Sequence, residues 1–350
     1  MIKSVGKRLS FSAAILCLIF LFTLTLLSPS ALAAPAASSL PREVIPGGEL
    51  FGIRMESRGL IVTDFGEVST PKGKRSPAGE AGLEKGDLIL AADGIPLEGA
   101  ASLAKIVSKS GGRPILLSLE REGKHLELSL TPALSADAGG WKAGLWVRDG
   151  AAGIGTVTFT VPESGAFGGL GHPVCDPESG RIFPLKEGLI CTAGLDRIQK
   201  GEAGKPGEIV GFLGRDILGK LRDNGPCGVF GNFTPGHQSG AKPVPVGEKT
   251  ELCCGKATVL CTVDLQGKKE YEIEIEELLG LDKPNKNFIV HVTSPELLEK
   301  TGGIVQGMSG SPILQNGKLI GAVTHVLVDD PTRGYGIFIE NMLKAAEKNK

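Results

Sequence analysis

The chain has 350 residues, of which 41% are hydrophobic and 22% charged, and its formal net charge is -1 from 38 basic and 39 acidic side chains. This near balance argues against a nucleic-acid partner, because a broad grip on phosphates needs an excess of Lys and Arg. The length is enough for two domains with separate cores. The 51 glycines lie between short apolar runs, which is typical of a mostly β fold with many tight turns.

The first 34 residues have the pattern of an export signal or a membrane anchor. Basic residues precede an almost uncharged run from Phe11 to Leu27, and small residues follow it. This run has roughly 17 residues, near the lower limit for crossing a bilayer. We therefore expect an exported protein that is tethered to the membrane by this segment or released from it by cleavage. Residues 35–43 are rich in Ala, Pro and Ser and predict a flexible stalk.

Residues 44–135 predict a small β-rich domain. The most distinctive stretch is 76–97, where a short helix of small residues leads through a Gly-Asp turn into a strand and a tight Asp-Gly turn. This segment resembles a PDZ domain of the bacterial protease type. The resemblance implies that an extended peptide adds as a strand beside Phe51, Gly52 and Ile53, whose backbone N–H groups would receive its terminal carboxylate. Alternatively, these three residues only close a barrel.

The rest of the chain, 141–350, has short strands, many glycines and few helical patterns, as in an all-β barrel. The strongest local signal is Asn316-Gly317 between two apolar runs, which predicts a tight β-hairpin. Because this hairpin follows a Gly-x-Ser motif, the region resembles trypsin-like enzymes of the chymotrypsin fold. We therefore predict a mostly β protein with an N-terminal membrane segment, a PDZ-like domain and a chymotrypsin-like double β-barrel.

The candidate nucleophile is Ser309, which lies between Gly307 and Gly310 in the run Gly-Met-Ser-Gly-Ser-Pro. Flanking glycines permit a tight backbone that exposes the hydroxyl. The backbone N–H groups of Gly307 and Ser309 are positioned to form an oxyanion hole, and each such donor contributes about 3–4 kcal/mol to transition-state stabilisation. The alternative is a structural Gly-Ser turn.

A serine nucleophile needs a base, and His172 is the leading candidate among five histidines. It lies in a glycine-rich turn after an apolar run, and it precedes the serine in the chain, as the base does in chymotrypsin-like enzymes. His291, in an apolar strand, and His325, in the predicted cleft wall, are the rival bases.

Six cysteines follow the N-terminal segment: Cys175, Cys191, Cys227, Cys253, Cys254 and Cys261. Outside the cytoplasm they could form disulfides. A zinc site with His237 as a fourth ligand is the alternative, but the sequence has no CxxC pair. We expect no metal and no cofactor.

The motifs around His172 and Ser309, together with Arg148–Gly155 and the PDZ-like segment, resemble the stage IV sporulation protein B peptidase family over nearly the whole chain. The resemblance implies a forespore serine endopeptidase that is exported into the space between the two forespore membranes. Such enzymes cleave their own N-terminal stalk and a membrane-associated regulator of an intramembrane metalloprotease. That cleavage leads to activation of a mother-cell sigma factor.

The chain departs from the family where a Thr-Asp-Pro sequence is expected, because Ser294 occupies the position of the third catalytic residue. Loss of that carboxylate can cost around 10⁴ in kcat. Three interpretations stay open. Asp264 or Asp176 orients His172, Ser294 does so as a neutral acceptor, or the protein is catalytically impaired and acts as a PDZ-type binding and regulatory protein.

Overall fold

The computed structural model describes residues 40–236, 242–280 and 283–348. The predicted signal or anchor segment at 1–34, and most of the predicted stalk, lie outside these ranges. Within them, no helix has the length and apolar character needed to cross a membrane.

The described ranges contain 22 strands and four short helices, so the predicted mostly β fold is confirmed. The first strands are β1 (Glu43–Pro46), β2 (Leu50–Phe65), β3 (Val68–Thr70), β4 (Gly73–Arg75), β5 (Leu88–Ala92), β6 (Ile95–Pro96), β7 (Ile115–Arg121), β8 (Lys124–Leu130), β9 (Ala133–Leu134) and β10 (Trp141–Lys142). The next are β11 (Leu145–Thr160), β12 (Ala166–Gly169), β13 (Leu185–Gln199), β14 (Glu208–Gly225), β15 (Gly228–Phe233) and β16 (Val244–Pro245). The last are β17 (Gly255–Thr262), β18 (Lys268–Leu278), β19 (Phe288–Val292), β20 (Pro312–Gln315), β21 (Lys318–Leu327) and β22 (Asp330–Phe338). The helices are α1 (Pro77–Glu80), α2 (Ala100–Lys109), α3 (Pro295–Thr301) and α4 (Ile339–Lys348).

Six strands form the first barrel. Strand β2 pairs with β11 and β13, β12 pairs with β11 and β15, and β14 pairs with β13 and β15, which closes the ring. Phe51 and Phe167 meet edge to face in its core, with ring centroids 5.9 Å apart, and both are buried. Closure leaves these six strands no free edge over the barrel.

The second barrel closes in the order β17-β18-β19-β22-β21-β20. Strand β18 shows why it forms, because buried Tyr271, Ile273 and Ile275 alternate with outward-facing polar residues. The predicted hairpin is confirmed: β20 and β21 pair around Asn316 and Gly317, which have φ of 53° and 74°. Two barrels were predicted within residues 141–350, but the first barrel also includes β2, which precedes the PDZ-like module in the chain.

The PDZ-like module, β3 to β9 with α1 and α2, is inserted between β2 and β11 and has its own core around Ile89, Leu117 and Leu119. Strands β2 and β11 each span 16 residues and belong to both the module and the first barrel. The predicted domain boundary at residue 44 is therefore wrong. Residues 43–56 pair with peptidase strands, for example Ile45 with Thr160.

The predicted PDZ peptide site at Phe51, Gly52 and Ile53 is also wrong. On one side this segment pairs with Gly153–Gly155, and on the other with Ile190–Thr192, so its backbone lies inside a sheet. Phe51 is 1% exposed and Ile53 is 3% exposed. These residues close a barrel, which was the alternative prediction for them. That barrel is the first barrel of the peptidase and not part of the PDZ-like module. No edge is left there for a peptide strand.

The module's own strand-addition edge is filled by the same chain. Residues 60–65 of β2 pair with β5 on one side and with Leu145–Arg148 on the other. The alternating side chains of Trp141, Ala143, Leu145 and Val147 pack against the module core. The connecting segment thus occupies the position that an added peptide strand would take.

Candidate active site

The loop that carries Ser309 connects α3 to β20 and presses against the first barrel. Gly310 has φ of 95°, and a Cβ there would lie 2.1 Å from the carbonyl oxygen of Thr156 and 2.5 Å from the backbone nitrogen of Leu170. Only glycine fits this close approach. Strand β11 of the first barrel therefore buttresses the nucleophile loop of the second.

Two threonines of β11 anchor this loop. The Thr156 hydroxyl donates to the carbonyl of Gly307 at 2.8 Å, and the Thr158 hydroxyl donates to the carbonyl of Gly310 at 2.7 Å. The backbone N–H of Thr156 also donates to the carbonyl of Ser309 at 3.1 Å. Neither threonine was predicted from the sequence, because nothing in the alternating pattern of β11 shows which loop its hydroxyls face.

His172 follows β12 in a turn built from two left-handed residues, Leu170 with φ of 65° and Gly171 with φ of 70°. A Cβ on Gly171 would lie 2.8 Å from the Thr324 methyl group of the second barrel. The turn therefore carries His172 from the first barrel onto the second. Leu170, in this turn, is also the contact of Gly310 in the nucleophile loop, so the two loops touch.

His172 and Ser309 line one cavity of about 580 Å³ at the seam between the barrels, and His325 lines it too. The cavity is mostly apolar, with side chains such as Ile53, Ile304 and Val326. None of the described residues that line it is Asp, Glu, Lys or Arg. The predicted nucleophile and base are thus brought to the same cleft.

The imidazole of His172 is held by its neighbour. Nδ1 lies 2.8 Å from the carbonyl oxygen of Pro173, so Nδ1–H donates to it and Nε2 is left as an acceptor, the tautomer that a general base needs. Burial lowers the pKa of His172, and the Pro173 carbonyl only partly opposes this. His172 is therefore neutral, and able to accept a proton, at pH values below the usual His range.

The predicted oxyanion donors are open. Gly307, with φ of 99°, has its carbonyl bound by Thr156. Within the part of the chain that the structure describes, the backbone N–H groups of Gly307 and Ser309 have no hydrogen-bond acceptor. Two such donors near a serine hydroxyl can stabilise the negative oxygen that develops during acyl transfer.

The structure brings none of the three candidate third residues to His172. Asp264 accepts from the Lys300 ammonium at 2.6 Å, which holds the pKa of this carboxyl below its usual value. Ser294 caps α3 by accepting from the Leu297 N–H at 3.3 Å. Both belong to second-barrel structure rather than to the His172 turn.

Asp176, the third candidate, lies close to His172 in sequence but forms a different contact. Its carboxylate binds the Arg148 guanidinium at 2.7 Å and accepts from Ser179. Burial raises the pKa of Asp176, but the Ser179 bonds and the Arg148 charge outweigh that effect and leave it below its usual value. The Pro173 carbonyl, not a carboxylate, is the group on Nδ1 of His172.

The structure distinguishes between the two rival candidates for the base, His291 and His325. His291, in β19, has Nδ1 3.2 Å from Glu276 Oε1 and does not line the cavity. His325 does line it, and its ring centroid lies 4.7 Å from that of His172. Burial, helped by His172 and Lys286, lowers the pKa of His325 to about 4, which makes it a weak base. Its position beside His172 was not predicted.

All six cysteines of the described ranges have free thiols, and Cys191 and Cys261 are buried. Among the described residues, no three His, Cys, Asp or Glu side chains are grouped as a metal site would require. His237, named in the zinc alternative, lies outside them.

A double β-barrel with a serine hydroxyl, an imidazole and two open backbone N–H groups in one seam cavity defines the class of trypsin-like serine peptidases. Residues 139–343 match the model of the SpoIVB peptidase S55 family, and residues 70–121 match a PDZ domain. The chain belongs to the SpoIVB peptidase S55 family and is a serine peptidase.

Curated relatives match a short stretch. The Regulator of sigma-E protease RseP of Salmonella typhimurium is 42% identical over 57 residues, which is 16% of this chain and 13% of that protein. The Regulator of sigma E protease of Salmonella typhi gives the same values. The chain thus spans only 13% of the length of these relatives.

Among solved structures, the active form of the Rv3671c protease from M. tuberculosis is 12% identical, with 57% of this chain and 74% of that chain covered and a TM-score of 0.34. Deg5 is 16% identical, with coverages of 55% and 81% and a TM-score of 0.34. The PDZ domain of the SdrC-like protein from Listeria monocytogenes is 21% identical, with coverages of 26% and 87% and a TM-score of 0.21.

Proposed function

We propose that this serine peptidase is an exported endopeptidase of sporulating cells that acts between the two forespore membranes. Its substrates are its own N-terminal stalk and a membrane-associated regulator of an intramembrane protease, and the cleavage leads to sigma-factor activation. The membership of the SpoIVB peptidase S55 family supports this role. The observation that carries the chemistry is the cavity shared by His172 and Ser309.

The chemistry follows from the placement of these groups. His172 accepts the Ser309 proton as the hydroxyl oxygen attacks the substrate carbonyl, and the N–H groups of Gly307 and Ser309 stabilise the oxyanion. The protonated His172 then gives its proton to the leaving amine, which leaves an acyl-enzyme. Water, deprotonated by His172, releases the acid product and restores Ser309.

The cavity also points to the substrate side chain. Its walls are mostly apolar, and no described residue that lines it is charged. A Lys, Arg, Asp or Glu side chain would lose its hydration there without gaining an ionic partner, which costs several kcal/mol. An apolar side chain gains free energy on burial, about 25 cal/mol per Å² of apolar surface. We expect cleavage next to an apolar residue.

The role is tested in sporulating cells and with the purified full chain. Wild type should lose its N-terminal segment and activate a reporter gene that depends on the sigma factor. Ser309→Ala and His172→Ala should do neither. The N-terminal sequence of the product shows whether cleavage lies in the stalk. Normal processing and reporter activity in Ser309→Ala would refute the proposal, and would leave a PDZ-bearing protein that acts without catalysis.

The substrate preference is tested separately with peptides that differ only in the residue before the scissile bond. Val or Leu should give a higher kcat/KM than Arg, Lys, Asp or Glu. The variant Val326→Glu, which places a carboxylate in the cavity wall, should gain activity on the Arg and Lys peptides. Equal rates on apolar and basic peptides for wild type would contradict the apolar preference but not the peptidase assignment.

A further inference from the structure

A second imidazole faces the base in the active-site cavity. The rings of His172 and His325 are tilted by 36°, with centroids 4.7 Å apart. They come from different barrels, because His172 follows β12 and His325 lies in β21. Ring contacts at this separation are attractive and directional, so His325 restricts the orientation of His172 across the seam.

His325 cannot easily take up a second proton and become positively charged. Its Nδ1 is buried and has no hydrogen-bond partner among the described residues. A proton on that nitrogen would be left without an acceptor, which costs free energy in a buried site. Among the described residues, His172 and Lys286 are the groups whose charge lowers the pKa of His325, so both disfavour a positive charge on its ring. His325 therefore stays neutral while His172 takes up the proton.

Within the ranges that the structure describes, no carboxylate takes the place beside His172 that usually orients a catalytic histidine. Its two usual effects are to fix the tautomer and to fix the ring orientation. The Pro173 carbonyl fixes the tautomer through Nδ1, but a single bond to the next residue leaves the ring free to tilt about that contact. The flat face of His325 is the group in position to limit this tilt.

We propose that His325 is a positioning residue, which holds the His172 ring in the orientation for proton transfer by packing against it. This proposal rests on the peptidase function proposed above. It assigns to a neutral ring from the second barrel a part of the task that an aspartate performs elsewhere. The ring face matters for this role, and the ring nitrogens do not.

Three variants test the proposal: His325→Phe keeps a flat ring, His325→Ala removes it, and His291→Ala removes an imidazole of the same barrel outside the cavity. The measurements are kcat and KM on an apolar peptide, and the rate at which a fluorophosphonate labels Ser309, each across pH. His325→Leu, which fills the space without a flat face, replaces the Ala variant if that variant is unfolded by circular dichroism.

His325→Ala should lower kcat by up to about 10²-fold with little change in KM, because small misplacements of a catalytic group have effects of that size. Its acid limb should move to higher pH, since water admitted beside His172 weakens the burial that lowers the His172 pKa. His325→Phe should keep most of kcat and the wild-type acid limb, and His291→Ala should match wild type.

Two results would overturn the proposal. If His325→Phe is as defective as His325→Ala, the nitrogens are required and His325 takes part in proton transfer. If His325→Ala keeps the wild-type kcat and acid limb, the ring contact has no role. A wild-type protein that neither cleaves peptide nor accepts the label is a failure of the proposed function itself, and is thereby distinguished from both.

Discussion

The hydroxyl of Ser309 donates a hydrogen bond to the carbonyl oxygen of Thr324, 2.7 Å away, although His172 lines the same cavity. Thr324 is a rigid acceptor, because it is 1% exposed and its own hydroxyl contacts the carbonyls of Asn285 and Tyr335. The serine hydroxyl must rotate from Thr324 towards the imidazole before it can react. Breaking one neutral hydrogen bond costs only about 1 kcal/mol, which is small beside the barrier of peptide cleavage.

The acid limb of the pH profile should lie below pH 6.5, the ordinary His pKa. Burial lowers the pKa of His172, so the base loses its proton, and becomes competent, at a lower pH than a solvent-exposed histidine. Activity should therefore fall only as the pH drops through this lowered pKa. The measurement is kcat/KM on an apolar peptide between pH 4 and 9. An acid limb above pH 6.5 would contradict the burial of His172.

Thr158→Val should destabilise the protein and reduce Ser309 labelling. The substitution leaves the buried Gly310 carbonyl without its donor, which costs about 1–3 kcal/mol, and removes one of the hydrogen bonds that join the nucleophile loop to β11. Chemical denaturation and fluorophosphonate labelling measure the two effects. The matched control is Thr262→Val, since the Thr262 hydroxyl donates to the Gly48 carbonyl at 2.8 Å, away from this loop. Equal labelling rates in the two variants would show that the Thr158 anchor does not position Ser309.

Neither Asp264 nor Asp176 should be needed for the chemistry. Asp264→Asn and Asp176→Asn remove partners of Lys300 and Arg148, not of His172. Both variants should therefore label at Ser309 with the wild-type pH profile, whereas loss of a true third catalytic residue costs around 10⁴ in kcat. Asp176→Asn should also unfold more readily, because it weakens a buried ion pair. A loss of several orders of magnitude in the labelling rate of either variant would show that this carboxylate takes part in catalysis.

Peptides with an apolar C-terminus should not bind the PDZ-like module of the intact chain. Its strand-addition edge is paired with Leu145–Arg148, and Leu145 and Val147 pack on the module core. A peptide would have to displace this segment, and its binding would have to offset the free energy of the segment's pairing with β2. Titration calorimetry with a peptide library measures this directly. Micromolar binding, with changes in the NMR chemical shifts of the backbone at residues 60–65, would show that the segment opens readily.

Local features of this fold were predictable from the sequence. The Asn316-Gly317 hairpin and the Gly-x-Ser loop depend on residues that adopt positive φ at no great cost, and such preferences act within a few residues. The same holds for the Asp-Gly turn of the PDZ-like module, where Asp93 and Gly94 have φ of 51° and 73°.

Long-range pairing could not be predicted in the same way. The apolar-Gly-apolar run at 51–53 has the same pattern whether it lines a peptide groove or closes a barrel. The difference lies in its pairing with Gly153–Gly155 and Ile190–Thr192, a hundred or more residues away. Likewise, the contact between His172 and His325 depends on how two barrels meet, and the acceptor on Nδ1 of His172 is a backbone carbonyl, which every residue supplies.

We propose that His172 activates Ser309 in the cavity that both residues line. The most direct test is the rate at which a fluorophosphonate, which bonds to an activated serine with loss of fluoride, labels the full chain at pH 7. Wild type should label at Ser309 alone, Ser309→Ala should not label, and His172→Ala should label about 10²–10⁴-fold more slowly. Labelling of His172→Ala at the wild-type rate would show that His172 does not activate Ser309.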